Sequence, residues 1–277
     1  MAKTKITIPG ILERKATGQK FKMITVYDYP MAGLVDRSAA EMILVGDSLG
    51  MVIQGLDGTV PVNMEDVLYH LKLVRRGAPN TFVVGDMPFL SYQVNKDDAI
   101  RNAGILLKAG ADCVKMEGNM KIVDTVRAVV DAGIPVIGHI GLTPQTAAMM
   151  GGFKVQGKSS DAAEELLQTA IALDNAGVFA MVLECMPAGL CKLITERVKC
   201  ATIGVGGGKY CDGQNLNAYD LIGVFDKFVP KFVKQYAQMG NQIVEVFDTW
   251  CKEIDEGTFP EDKHTFTMKD EDLKRLY

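Results

Sequence analysis

The sequence predicts an α/β barrel, a parallel sheet closed on itself and wrapped by helices, and three observations predict it. Short apolar runs without polar alternation recur along the chain, each ending in polar or Gly-rich residues; that is the pattern of parallel strands covered on both faces. Helix-like segments separate the runs, and several end in a glycine shortly before the next run, as in Lys108-Ala109-Gly110, Asp131-Ala132-Gly133 and Asn175-Ala176-Gly177. Glycine there is a helix C-terminal signal. About eight such units fit in 277 residues, which favours a closed barrel over an open doubly wound sheet.

The elements follow in order. The first apolar run covers residues 23–27 and ends at Asp28; the second covers 42–45 and ends in Gly46-Asp47-Ser48. Residues 81–84 lead to Gly85-Asp86, and 112–114 lead to Lys115-Met116-Glu117-Gly118. Residues 135–137 end in Gly138-His139, and 180–183 end in Glu184. Thr202-Ile203 runs into the glycine-rich segment 204–208, and 221–224 is the eighth and weakest strand candidate. Helices are expected over 65–76, 96–109, 121–132, 162–176 and 189–198. No linker interrupts the pattern, so residues 1–277 read as a single barrel domain with an N-terminal extension and a C-terminal helical tail. That tail comprises an amphipathic helical region over 227–255 and a polar stretch, 256–277, suited to loose packing or contact with a neighbouring subunit.

Composition narrows the function. Hydrophobic residues make up 48 % and charged residues 23 %, the balance of a globular protein with a large core rather than a disordered one. A net charge of −4 and basic stretches no longer than pairs such as Arg75-Arg76 argue against a nucleic-acid or membrane partner. No apolar run is long enough to span a bilayer, and the first residues hold no apolar secretory core, so a cytoplasmic protein is expected. The six cysteines lack CxxC pairing and read as buried thiols of a reducing compartment. His70, His139 and His264 lie far apart in sequence, which speaks against zinc.

Asp28, Asp47, Ser48, Asp86, Lys115, Glu117, His139 and Glu184 all fall at the ends of expected strands, and in a parallel barrel those ends share the face where active sites are built. Asp28 serves equally well as an N-cap of the next helix. Asp47, Asp86, Glu117 and Glu184 together would repel one another unless a positive charge stood between them. Hard oxygen ligands select Mg²⁺ or a similar ion; Asp47 and Asp86 are the first candidates, with Glu117 beside them or acting through water. Lys115 shares a strand face with Glu117, so it can anchor a substrate carboxylate or enolate oxygen, or form an ion pair with an acid. Glu184 follows an apolar strand and suits a general base, with helix capping as the bland alternative. His139 is a second proton carrier, a donor to a carbonyl, or a satisfied structural group. The expected activity is metal-assisted activation of a small oxo-acid. The loop 151–157 suits a lid, and glycines 204–208 suit either a phosphate cradle or a tightly packed turn, since no P-loop or GxGxxG is present.

A set of motifs in register carries a more specific resemblance. They are Val45-Gly-Asp-Ser-Leu-Gly-Met51, Val74-Arg-Arg-Gly-Ala-Pro79, Gly85-Asp-Met-Pro-Phe89 and Val114-Lys-Met-Glu-Gly118, followed by Gly138-His-Ile-Gly-Leu-Thr-Pro-Gln145, Gly151-Gly-Phe-Lys-Val-Gln-Gly157, Val182-Leu-Glu-Cys185 and Asp212-Gly-Gln214. From about Phe21 to Tyr236 the chain resembles the ketopantoate hydroxymethyltransferase family. The resemblance implies a (β/α)8 TIM barrel of the phosphoenolpyruvate mutase/isocitrate lyase type, Mg²⁺, and a homo-oligomer, often a decamer. It also implies transfer of a one-carbon unit from 5,10-methylenetetrahydrofolate to 3-methyl-2-oxobutanoate through a metal-stabilised enolate, on the route to pantothenate and coenzyme A. By the same resemblance Asp47, Asp86 and Glu117 are metal positions; Asp47, Ser48, Asp86 and Lys115 touch the oxo-acid; and Glu184 is the proton acceptor. From its own place at a strand end, His139 is expected to join the substrate contacts. No residue is assigned to the folate.

Tyr219 stands where the family commonly has His, Asn215 and Asn217 where it has apolar residues, Asn119 where it has Gly and Val26 where it has Ala. None of these falls on a metal or proton-transfer position. Two other readings compete: a folate-independent lyase of the isocitrate-lyase kind, whose KKCGH-like motif is absent, and a non-catalytic binding or assembly protein, for which several acids gathered at one rim have no physical use.

Overall fold

In the computed structural model, which describes residues 3–277, the sheet closes completely. Its strands are β1 (Phe21–Thr25), β2 (Met42–Val45), β3 (Phe82–Asp86), β4 (Cys113–Glu117), β5 (Val136–Gly141), β6 (Ala180–Glu184), β7 (Ala201–Val205) and β8 (Gly213–Asn217). Every neighbour is parallel, and β8 returns to β1 with Phe21 opposite Gly213 and Thr25 opposite Asn217.

Side-chain alternation along a strand divides each one between two environments. Met42 and Leu44 of β2, Phe82 and Val84 of β3, and Cys113 of β4 belong to the cluster filling the barrel. Their neighbours Ile43, Val45, Val83 and Val114 pack in the cluster shared with the surrounding helices. The same period carries inward positions up from the apolar lower barrel to Asp86, Lys115, Glu117, His139 and Glu184, so the interior turns from apolar to charged at its C-terminal end.

The helices are α1 (Ile8–Thr17), α2 (Tyr29–Asp36), α3 (Leu49–Val52), α4 (Met64–Gly77), α5 (Lys96–Lys108), α6 (Val123–Asp131), α7 (Ser160–Asn175), α8 (Ala188–Arg197), α9 (Ala218–Leu221), α10 (Met239–Asp255) and α11 (Asp270–Leu273). The N-terminal extension contains α1, which Thr7 caps through Gly10 N. Ile11 on α1 is fully buried among Phe21, Met23 and Phe82 and so seals the lower end of the barrel. Asn63 forms a capping box with Asp66 at the start of α4, and Asn95 and Ser159 cap α5 and α7.

Three expectations are corrected. The eighth strand is β8 rather than residues 221–224, which form the end of α9 and the turn after it. Asn217 accepts from Tyr219 N and starts that helix, so the apolar run 221–224 is unavailable to the sheet. Residues 227–255 are helical only from Met239. The stretch before it contains Pro230 and is held in a turn-rich path by Tyr236 N donating to Leu221 O and Met239 N donating to Ile222 O. No residue of α10 is buried, and Val246, Phe247 and Trp250 all stand exposed. All six cysteines are free thiols; Cys251 on α10 is exposed and Cys185 half-buried, rather than buried as expected. Among the described residues no helix is long and apolar enough to cross a membrane.

One backbone approach ties the fold to the site. Gly141 pairs with Glu184 across β5 and β6. Its φ is +96°, and a Cβ there would lie 2.2 Å from the Glu184 carbonyl and 2.8 Å from the Met186 side chain. Gly141→Ala is expected to lower stability by about 2 kcal/mol or more, read as a lower urea midpoint with unchanged slope; an unchanged midpoint would show that the β5–β6 junction tolerates displacement.

Candidate active site

A cavity of about 400 Å³ opens at the C-terminal end of the barrel. Its floor carries Asp47, Ser48, Asp86, Lys115, Glu117, His139 and Glu184, so the structure brings together every residue the sequence proposed for metal, substrate and proton transfer. A hollow of about 460 Å³ along α10 is lined by Val246, Trp250 and neighbours; it holds no convergent set of catalytic groups.

Lys115 and Glu117 project inward from β4 at two-residue spacing, beside Asp86 at the end of β3. Lys115 Nζ lies 2.8 Å from Asp86 Oδ1 and 3.8 Å from Glu117 Oε2. Asp47 follows β2, and its backbone N donates to Asp86 Oδ2 at 3.0 Å. His139 of β5 stands between two acids, with Nδ1 3.3 Å from Glu117 Oε2 and Nε2 3.2 Å from Glu184 Oε2. Except for partly exposed Glu184 and Ser48, these floor side chains are buried.

Burial followed by the neighbouring Asp86 and Glu117 charges pushes the Asp47 carboxyl well above its ordinary range. Burial also raises Asp86, against the pull of Lys115. Glu117 is buried too, but its bond to His139 and the Lys115 charge outweigh burial and hold it low. Burial and the adjacent Lys115 oppose protonation of His139, yet Glu117 and Glu184 overcome them and raise it to about 9. Lys115 is raised despite burial by Asp86, Glu117 and Asp47. The raised Asp47 and Asp86 carboxyls mark a site where Lys115 and protonated His139 do not match all the acids, and a divalent cation would favour their ionised forms.

Two acceptors, Asp86 Oδ1 and Glu117 Oε2, are buried without an aligned hydrogen bond, although cationic nitrogens lie within ion-pair distance. Among the described residues, no three acidic, His or Cys side chains are already drawn together as a coordination set; the Lys115 ammonium sits among the acids instead. Hard oxygens with spare acceptor capacity and excess negative charge suit Mg²⁺.

Several supporting residues escaped the sequence reading. Gln145 donates from its backbone N to Glu117 Oε1 at 2.8 Å, and from Nε2 to Asp47 Oδ2 at 2.8 Å and to the Met87 carbonyl at 2.9 Å. The buried Tyr92 hydroxyl lies 2.8 Å from both Gln145 Oε1 and the Glu117 carbonyl. The Ser48 hydroxyl lies 2.7 Å from the hydroxyl of buried Tyr27, which accepts from Asn217 Nδ2 at 2.6 Å. A glutamine in a loop and two tyrosines in apolar surroundings carry no spacing signature; only Gln145's place after the His139 strand hinted at a role. Asp28 resolves as a cap, accepting from Met31 N at 2.8 Å, and the Tyr219 hydroxyl also donates to it. The glycines of 204–208 resolve as packing: a Cβ on Gly207 would lie 2.9 Å from Cys191 Sγ and one on Gly206 2.8 Å from the Phe232 ring. Phe153 and Lys154 of the expected lid line the cavity.

The chain is similar to known proteins along its length. The family model described as ketopantoate hydroxymethyltransferase matches residues 5–262. The chain is 58 % identical to the 3-methyl-2-oxobutanoate hydroxymethyltransferase of Heliobacterium modesticaldum, with the whole of both chains covered. It is 50 % identical to that of Clostridium beijerinckii, over 99 % of this chain and 100 % of that one. Among solved structures, 2,3-dimethylmalate lyase, a phosphoenolpyruvate mutase/isocitrate lyase superfamily member, overlays with a TM-score of 0.58 at 13 % identity, covering 97 % of this chain and 93 % of that one. This likeness identifies the barrel type.

Gln145→Leu removes four side-chain bonds, two donated to Asp47 Oδ2 and the Met87 carbonyl and two accepted from Tyr92 and Gln93, and leaves Asp47 Oδ2 and the Met87 carbonyl short of a donor. We expect it to destabilise the metal-free protein by about 2–4 kcal/mol, measured by urea unfolding; a change near zero would mean that water replaces the amide.

Proposed function

Because the chain belongs to the ketopantoate hydroxymethyltransferase family, we propose that its barrel-mouth site transfers a hydroxymethyl unit to 3-methyl-2-oxobutanoate, giving 2-dehydropantoate, a step toward pantothenate and coenzyme A. The donor in this reading is 5,10-methylenetetrahydrofolate. The observation that carries the chemistry is the pairing, in one buried cavity, of a lysine–carboxylate cluster with the His139–Glu184 couple 3.2 Å apart.

Asp47, Asp86 and Glu117 would hold Mg²⁺, a role supported by their hard oxygens, their surplus charge and the unaligned Asp86 Oδ1 and Glu117 Oε2. When bound, Mg²⁺ supplies Lewis-acid polarisation of the carboxylate and oxo oxygens of a 2-oxo acid, which eases loss of the C3 proton. Lys115 holds an oxygen of the substrate by charge-assisted hydrogen bonding. Ser48, fixed by Tyr27, gives a second polar contact to the oxo-acid.

Glu184 takes the C3 proton, and His139, 3.2 Å away, orients its carboxylate. Both carbon–nitrogen bonds of the donor's methylene carbon then break: one is replaced by the new bond to C3 and the other by a bond to the oxygen of one water. The proton taken from C3 and one proton of that water end on the two folate nitrogens, and the product carries the hydroxymethyl group. The loop holding Phe153 and Lys154 borders the cavity and limits the access of further water.

A homo-oligomer, in this reading a decamer, is supported by the exposed apolar side chains of α10, a face that a lone chain leaves in water. The partners are small molecules; the net charge of −4 offers no nucleic-acid or anionic-membrane surface. The expected compartment is the cytoplasm.

Glu184→Gln keeps the shape of the side chain and removes its basicity. It is expected to slow exchange of the C3 proton of 3-methyl-2-oxobutanoate with deuterated solvent by about 100-fold or more, followed by NMR in the presence of Mg²⁺. Exchange at the wild-type rate would assign the base elsewhere.

A further inference from the structure

The same cavity has a second wall, formed by β8, α9 and the segment after it, that the steps above leave unused. It presents Asn215, Asp220, Phe225, Phe228, Lys231 and Phe232. The wall joins the oxo-acid floor through a short polar chain: Asn217 donates to Tyr27, whose hydroxyl meets Ser48. A group bound against it would therefore lie beside the oxo-acid.

Five carboxylates line the cavity, and four of them belong to the floor. Asp220 is the fifth. Among the described residues its carboxylate has no salt-bridge or hydrogen-bond partner, and burial alone, with no cation or donor to offset it, raises it to about 6. Helix capping does not occupy it, because Asn217 already caps α9. The same wall carries aromatic rings into the cavity, with Phe228 65 % exposed and Phe232 36 % exposed. Elsewhere above the floor, Met51 and Val52 after β2 and Leu142 and Phe153 after β5 offer apolar contact.

Two adjacent acceptor oxygens beside flat aromatic faces match a planar heterocycle that presents two adjacent donors. We infer that this wall is the pterin subsite for the one-carbon donor, with Asp220 accepting from the N3–H and 2-amino groups of the aminopyrimidinone edge and the Phe228–Phe232 pair covering the ring. This rests on the folate-dependent reading given above. Lys231, at the rim, supplies positive charge for the carboxylates of the donor's glutamate tail.

The test uses the intact, Mg²⁺-loaded protein. Binding of tetrahydrofolate is measured by calorimetry without oxo-acid, and KM is measured for each substrate. Asp220→Asn turns one of the two acceptors into a donor facing a donor. It should weaken tetrahydrofolate binding and raise KM for the methylene donor roughly ten- to hundredfold, with KM for 3-methyl-2-oxobutanoate moving less than about twofold on the same scale. Asp220→Glu should recover part of the loss. Phe228→Ala, at an exposed position where folding is not at stake, should weaken tetrahydrofolate binding about fivefold or more. Unchanged binding in both Asp220→Asn and Phe228→Ala, or equal shifts in the two KM values for Asp220→Asn, would overturn the assignment. A wild-type protein that makes product from the folate donor while these variants match it would sink this inference alone; a wild-type protein that makes none would sink the reading beneath it.

Discussion

A lysine ammonium buried among carboxylates at the top of a closed barrel is the constraint on which the rest of the site depends. Lys115 cannot be neutral there, because Asp86 stands 2.8 Å away and Glu117 and Asp47 add to the field. Taking such charges out of water is costly unless each is matched, and Lys115 with His139 matches only part of the negative charge. The residue spacing that creates this imbalance comes from the sheet itself. Inward positions recur every second residue, so a strand that contributes Cys113 to the apolar lower barrel must present Lys115 and then Glu117 higher up. The charged site is the upper end of the same rows that form the core.

The imbalance also explains the supporting residues. Gln145 reaches both Asp47 and Glu117, the two acids that do not make the short contact with Lys115, and Tyr92 holds Gln145 in turn. A neutral amide suits this task because it donates hydrogen bonds without adding charge. On the other side, the Ser48–Tyr27–Asn217 chain links the oxo-acid floor to β8. Asn215 accepts from Thr25 and Asn217 donates to Tyr27, so the β8 wall is a polar extension of the floor.

Much of this was legible in the sequence, for a physical reason. Seven strands announce themselves as apolar runs because both of their faces are buried, and acids directly after such runs have few structural uses. Asp47, Asp86, Lys115, Glu117, His139 and Glu184 were therefore visible as one set before any coordinates. β8 was not. Its inward positions are Gly213, Asn215 and Asn217, and Gly213 must be small because a Cβ would lie 2.5 Å from the Phe21 ring; a strand of that composition gives no hydrophobic signal. The apolar run at 221–224 was mistaken for it, although the cap at Asn217 assigns that stretch to a helix and turn. The extra helical length assigned to 227–238 failed through Pro230 and the backbone bonds that bind the segment to α9. Gln145 and Tyr92 were invisible because their roles arise from three-dimensional proximity across loops.

The central claim is that the acids around Lys115 form a site for one divalent cation. The most direct measurement is a Mn²⁺ titration of the metal-free protein followed by electron paramagnetic resonance, in the wild type and in Asp86→Asn. The account predicts one saturable site per chain in the wild type and an affinity at least about tenfold lower in the variant. Absence of saturable binding, or equal affinity in both proteins, would contradict it and leave Lys115 and His139 as the counter-charges the acids require.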